Sequence, residues 1–292
     1  MSGRTYHATG VNLKSSPLGE SDRILTILTP EFGLIKAIVP SARKGGTTLS
    51  ALSGLFVVNN LLIAKGRSID KVIQAQSIEQ RPGLGQNLGK LSASQYLAEL
   101  AITEASSKEP QLPLFTLLNE HLTRIDKIPN NLSPIDERLS IIACLVHGIF
   151  HLLAIEGIAP QVQACCVTRH PVSPNFTDPD WRIQFSISTG GIITEEALND
   201  YGVNIQEVNG ITIIPMPKKQ FITHYLKAEE LAIFQELCMP EIKLELIEKY
   251  SNLEDWQTIE RILRQYIQYY LDYSVRSATL IDTYLNIGFF NE

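Results

Sequence analysis

Residues 23–39 read RILTILTPEFGLIKAIV, two runs rich in Ile, Leu, Thr and Val joined by Thr29-Pro30-Glu31-Phe32-Gly33. Such side chains fit a pleated, half-buried surface. Proline presets φ early in the connection and glycine accepts positive φ at its end, so these five residues predict a hairpin turn. The pattern extends in both directions. YHATGVNLK precedes the hairpin; LFVVNNLLIAK and DKVIQAQSI follow it, separated by Gly66-Arg67-Ser68-Ile69.

About five short strands in under ~80 residues predict a small closed barrel such as the OB-fold. The segment Ser41–Ser50, SARKGGTTLS, is polar, basic and glycine-bearing, and is expected to hang from the third strand as a mobile loop. Arg81-Pro82-Gly83, Gly85 and Gly89 mark a boundary, after which the apolar period changes from two to near 3.6. Helices are expected over 92–106, 112–128, Ser133 to Glu156, 226–238, 241–250 and 254–285. Ser133-Pro134-Ile135-Asp136 suits a helix start, with a capping serine, proline in the first turn and an acid behind it. Between the helices, 159–220 is irregular and holds CCVTRH, a WRIQFSIS strand, Gly190-Gly191 and ITII. The predicted class is therefore α+β: a barrel over 1–80, a helical domain over 90–158 and 221–292, and an inserted segment over 159–220.

The chain of 292 residues has a formal net charge of −6, which by itself does not point to nucleic acid. The charge is unevenly spread. Residues 1–80 carry nine bases against five acids, a balance of +4, and the remainder sixteen bases against twenty-six acids, −10. A basic first module raises the expectation of an anionic partner. Its candidate contacts are Lys14, Arg23, Lys36, Arg43, Lys44, Lys65, Arg67 and Lys71. Four irregularly spaced cysteines do not make a disulfide framework, and with no secretory leader at MSGRTYHATGV the expected location is the cytoplasm. Leu139–Ile158 is the most apolar stretch; it carries His147, His151 and Glu156 and reads as a buried helix rather than a membrane span.

Motifs for covalent chemistry are missing. There is no Gly-x-Ser-x-Gly, His-Glu-x-x-His or P-loop pattern. Glu195-Glu196 and Glu229-Glu230 sit near helix starts, where acids favour the dipole. His147 and His151 lie i,i+4 on one helix, but no third ligand follows them in sequence, so a helix–helix contact is expected. Cys165, Cys166 and His170 invite a zinc reading, and with it a zinc-dependent hydrolase. No catalytic residue and no cofactor is assigned.

Several segments together resemble the bacterial recombination mediator family RecO. They are Leu13…Pro17, Gly19-Glu20-Ser21-Asp22, the Thr29–Gly33 turn, Ala42-Arg43-Lys44, Leu52…Leu55-Phe56, Lys65-Gly66-Arg67 and Gln74-Ala75. The likeness continues through the helix ending at Gly157 and returns at Val275-Arg276-Ser277, which is similar to the family's Leu-Lys-Ser run. The resemblance implies a nucleoid-associated protein that binds single- and double-stranded DNA and anneals complementary strands without a nucleotide. It also implies that, with RecR, the protein helps load RecA on DNA coated by single-stranded DNA-binding protein (SSB). The SSB C-terminal tail is an implied partner, with the helix over 134–157 as its expected neighbourhood. A protein–protein adaptor without DNA binding is the alternative.

Members of that family often carry two Cys-x-x-Cys pairs here, a tetrahedral zinc site. The resemblance places the missing partners at Thr168, Thr194 and Ala197, so Cys165, Cys166 and His170 are read as remnants of a zinc-ribbon-like segment without metal. Ser41 stands where the family often has glycine, which predicts a reoriented loop. VNIQEVNGITIIPMP, 203–217, is read as an addition covering the surface that zinc braces.

Overall fold

A computed structural model of the chain describes residues 5–44, 48–107, 109–197 and 223–286. Strands β1 (Thr5–Leu18), β2 (Asp22–Thr29), β3 (Gly33–Val39), β4 (Val58–Ala64) and β5 (Asp70–Glu79) close a barrel in the order β1-β2-β3-β5-β4, with helix α1 (Thr48–Leu52) between β3 and β4. This is the OB-fold architecture. All pairings are antiparallel except β3 with β5, where Ala37 and Ile38 face Asp70 and Lys71. Inside sit Ala8, Leu25, Ile27, Ala37, Val39, Leu61, Ile63 and Val72. Buried Asn12 and Asn59 both donate to Leu52 O and so seat the end of α1 on the barrel.

The Thr29–Gly33 turn does more than reverse the chain. The Thr29 hydroxyl donates to Gly33 O and accepts from Phe32 N–H. Gly33 has φ +63°, and a Cβ there would lie 2.3 Å from Ser106 O and 2.6 Å from Glu109 O, so only glycine fits. Leu34 N–H donates to Ser106 O, and Gln111 N–H to Pro30 O. The hairpin is thus held against the connection between helices α3 (Leu88–Glu104) and α4 (Leu112–Asp126).

Short helix α2 (Pro82–Gln86) leads into α3, α4 and α5 (Pro134–Ile155). The predicted start of α5 is present: Ser133 Oγ accepts from Asp136 N–H. Gly157, at φ +74°, follows its end. By length and composition α5 could cross a bilayer, but 67% of that apolar window is buried among the other helices, as a core helix is. The covering is nearly complete from Leu139 to Leu153, and the exposed apolar residues of α5 lie at its two ends, Ile135 and Ile155.

The predicted helix over 254–285 is two helices. α8 (Leu253–Leu271) ends where Asp272 takes a left-handed φ of 48°, and α9 (Ala278–Asn286) begins after Val275-Arg276-Ser277. The Glu99 carboxylate of α3 accepts from Arg276 N–H at 2.9 Å and Ser277 N–H at 2.8 Å, which satisfies amides ahead of α9. The Tyr284 hydroxyl donates to Glu137 on α5.

Two compact units result, and their boundaries are not the expected ones: residues 1–155 with 275–292 form one, and 156–274 the other. The barrel and the first helices share a unit because the boundary at Arg81 is a join. The Arg81 side chain, 1% exposed, donates to Phe56 O, Thr123 Oγ1 and Asn119 O and pairs with Glu79 at 2.7 Å. The second unit holds a sheet of β7 (Gly191–Ile193), β6 (Ile183–Ser186) and β8 (Thr223–Leu226), with helices α6 (Ala228–Glu236), α7 (Leu244–Lys249) and α8. Its core stacks Phe185 on Phe234, with Tyr266 against Phe185 edge-on. The ITII run and the 203–217 addition lie outside the described residues.

Candidate functional site

The barrel sorts the eight candidate bases by strand register. A bulge between Asn12 and Lys14 inserts Leu13, so that Asn12 faces inward opposite Ile27 while Lys14 faces outward opposite Thr26. Thr26 pairs in turn with Lys36. Lys14 and Lys36 therefore flank one strand on the outer face, two strand spacings or about 10 Å apart. Lys71, paired with Ile38 and Ala64, points outward as well, since its neighbour Val72 is in the core. All three lysines are exposed.

Arg43 and Lys44 come to the same end of the barrel, on a segment that is tied down rather than hanging. Arg43 N–H donates to Ser21 O, the Arg43 guanidinium to Gly19 O at 2.5 Å, and Ser41 N–H to Asp22 Oδ1. The Ser41 N–H, the Ser21 hydroxyl and the charges of Lys71 and Lys44 hold the Asp22 carboxyl below its ordinary range. Ser41 takes φ +56°, so serine here adopts the left-handed backbone that glycine favours; residues 45–47 of the predicted loop lie outside the described residues. The end of the predicted Ser41–Ser50 loop, from Thr48, belongs to helix α1.

Lys65 and Arg67 are exposed in the β4–β5 turn. Asp70 shapes that turn by accepting from Gly66 N–H and from the Tyr6 hydroxyl. Tyr6 carries Phe32 on its edge, ring centroids 5.1 Å apart, and Phe32 is 37% exposed. Sequence reading named the bases and missed this aromatic pair, because a turn phenylalanine reveals its neighbour only after the barrel closes. Arg23 departs from the others. It pairs with Val39 on the inward side, is half-buried, and donates to Ser15 Oγ at 3.0 Å.

In the second unit the 165–170 segment forms a tight knuckle. Cys165 N–H donates to His170 O, Arg169 N–H to Cys165 O, and Arg169 has φ +63°. Cys165 is fully buried, and its sulfur accepts from Thr194 N–H at 3.4 Å and the Thr194 hydroxyl at 3.6 Å. Burial pushes this thiol up, but hydrogen bonds from Thr168 and Thr194 outweigh it and bring the pKa down to about 6. Ala197 and Ile193 pack against the sulfur's residue. Among the described residues, Cys165, Cys166 and His170 do not form a three-ligand cluster.

Comparison with known proteins supplies the context. Residues 1–81 match the family model described as Recombination protein O N terminal, and residues 85–192 match Recombination protein O C terminal. The chain belongs to the RecO family of DNA repair proteins. Relatives named "DNA repair protein RecO" include those of Nostoc punctiforme, 48% identical over 96% of each chain, and Trichodesmium erythraeum, 46% identical over 97% of this chain and 95% of the other. That of Gloeobacter violaceus is 36% identical over 97% of this chain and 94% of the other. RecO is not an enzyme family, so binding surfaces rather than catalytic groups are the features of interest.

One cluster in this RecO-family chain runs against the sequence reading. His147 and His151 do have a third partner, His121 of α4, twenty-six residues upstream of His147. Burial, then the neighbouring His147, His151 and Arg124, lower the His121 pKa to about 2, so that ring is neutral at ordinary pH.

Proposed function

We propose that this RecO-family protein binds DNA across the outer β1–β3 face and the adjoining loops of its barrel and anneals complementary strands without a nucleotide. OB-folds take nucleic acids across the β2–β3 face and the β1–β2 and β4–β5 connections. The observation that carries the reading is the placement of Lys14, Lys36 and Lys71 on one outward face, with Arg43 and Lys44 docked at the β1–β2 turn and Lys65 and Arg67 in the β4–β5 turn. Phosphates are held by the cations, and a base can stack on Phe32. Neutralising one strand lowers its repulsion of a second, while bases turned outward test for complementarity. Together with RecR the protein would then help RecA load on SSB-coated DNA, with the SSB tail raising the local concentration at coated strands. Nucleoid association would follow from the DNA binding.

The cysteine knuckle fits this reading as a metal-free support, in which threonine hydroxyl and amide groups serve the Cys165 sulfur where thiolates would share a zinc ion.

The test is binding of the full chain to fluorescent single-stranded oligonucleotide at varied salt. Each phosphate contact contributes about −0.7 to the slope of log K against log salt on single strands. Arg43→Ala with Lys44→Ala should weaken binding and flatten the slope. Absence of salt-dependent binding in the parent chain would favour the adaptor reading.

A further inference from the structure

We propose that His121, His147 and His151 form a binding site for a divalent d-block cation of the zinc type, which clips helix α4 to helix α5. The three imidazoles come from two helices, and one ligand nitrogen from each lies within 4.8 Å of the others. His121 Nε2 and His151 Nδ1 are 3.2 Å apart. Two nitrogens on one tetrahedral zinc at about 2.1 Å each are separated by about 3.4 Å, so this pair is already spaced as neighbouring ligands. The third ring is close behind: the His147 and His151 centroids are 4.0 Å apart, and His121 is 5.1 Å from each.

Two features mark the cluster as more than packing. His121 and His147 are each 1% exposed, in an otherwise apolar helix interface. And a cation already sits at the edge of the cluster: Arg124 Nη1 lies 3.2 Å from His147 Nδ1. Arg124 is also paired with Glu120, one turn back on the exposed side of α4. A metal ion at the His147 lone pair would replace the guanidinium there and leave it to Glu120.

The donor set selects the ion. Three imidazoles and no carboxylate suit zinc, cobalt, nickel or copper and not magnesium or calcium. Gly148 lets the helices close on the site, since a Cβ at that position would come within 2.9 Å of both methyls of Leu97 and 3.4 Å of the His121 ring.

The experiment uses the full chain without an affinity tag, titrated with Co²⁺ by absorption and with Zn²⁺ by calorimetry. Expected are about one ion per chain and a tetrahedral cobalt spectrum without a thiolate charge-transfer band. Binding should persist in Cys165→Ala/Cys166→Ala, be lost in His151→Gln, and tighten several-fold in Arg124→Gln, where the competing cation is gone. Zinc should also raise the thermal midpoint of the parent chain and leave that of His151→Gln unmoved. No binding by the parent chain, or binding lost with the cysteines and retained in His151→Gln, overturns the proposal. If His151→Gln does not fold, X-ray absorption of the zinc-loaded parent decides: a nitrogen-only shell supports the site, and sulfur scatterers refute it.

Discussion

Along the outer face of β1–β3 the residues change from Val11 and Leu28, fully buried on strands that pack against α3 and α4, to Lys14 and Lys36, which meet solvent. At the covered end stands Arg81, a cation as charged as any of the lysines. Its guanidinium is spent on Phe56 O, Asn119 O, Thr123 and Glu79, so it holds the barrel to α4 and presents nothing to a ligand. Lys90 has the same fate, its ammonium bonded to Ile128 O, Asn130 Oδ1 and Asp126 O at the end of α4. The comparison teaches that a cation's role follows from its acceptors. Burial among several fixed acceptors makes it structural, whereas a cation that stays in water, even one like Arg43 with a single carbonyl partner, is available to phosphate.

The sharpest way to break the comparison is Arg81→Ala. It leaves buried carbonyls without donors and should cost about 3 kcal/mol in urea unfolding. The salt slope of DNA binding by the folded fraction should not change; a flattened slope would place Arg81 on the DNA. It also follows that a fragment cut at residue 80 loses this join, so division of labour is best tested by substitution in the full chain.

Phe32→Ala should weaken single-strand binding by about 1–3 kcal/mol if one base stacks there, as read by fluorescence titration. Stability should fall less, because the ring is already partly exposed. Replacing Lys14, Lys36 and Lys71 together by Ala should make the salt slope shallower by about 2. Each single change should move stability by no more than about 0.5 kcal/mol. Arg23→Gln is the control, since its guanidinium is committed to Ser15 and the slope should stay as it was.

The knuckle repeats the contrast with the opposite charge. The Cys165 thiol is lowered from 9.0 to about 6 in the folded protein. Between those values the unfolded chain holds a proton that the folded chain does not, so this group's stabilisation is complete above pH 9 and is lost as pH falls through about 6. The urea midpoint should therefore rise with pH across that window, and Cys165→Ala should flatten the rise. A midpoint with the same pH dependence in both chains would mean that the threonine contacts do not hold a thiolate.

Much of this protein was legible without coordinates. The OB barrel could be read from strand alternation and the Thr29–Gly33 turn, because both are local: period two sets which side chains face inward, and proline and glycine set the reversal. The start of α5 was equally local, a serine and an acid at capping spacing. The basic residues could be named for the same reason. Their arrangement could not, since the Leu13 bulge decides that Lys14 shares a face with Lys36. The break at Asp272 was hidden because the apolar period runs on past it; there the backbone turns left-handed, and the amides ahead of α9 are held by Glu99, far away in sequence. His121 was out of reach by the same logic, for a spacing rule along one helix cannot see a ligand on another. Period and turn residues thus determined most of the elements, and the order of short motifs carried the family resemblance. Only tertiary packing, by bringing distant donors and acceptors together, decided which charges are structural and which stay exposed to solvent.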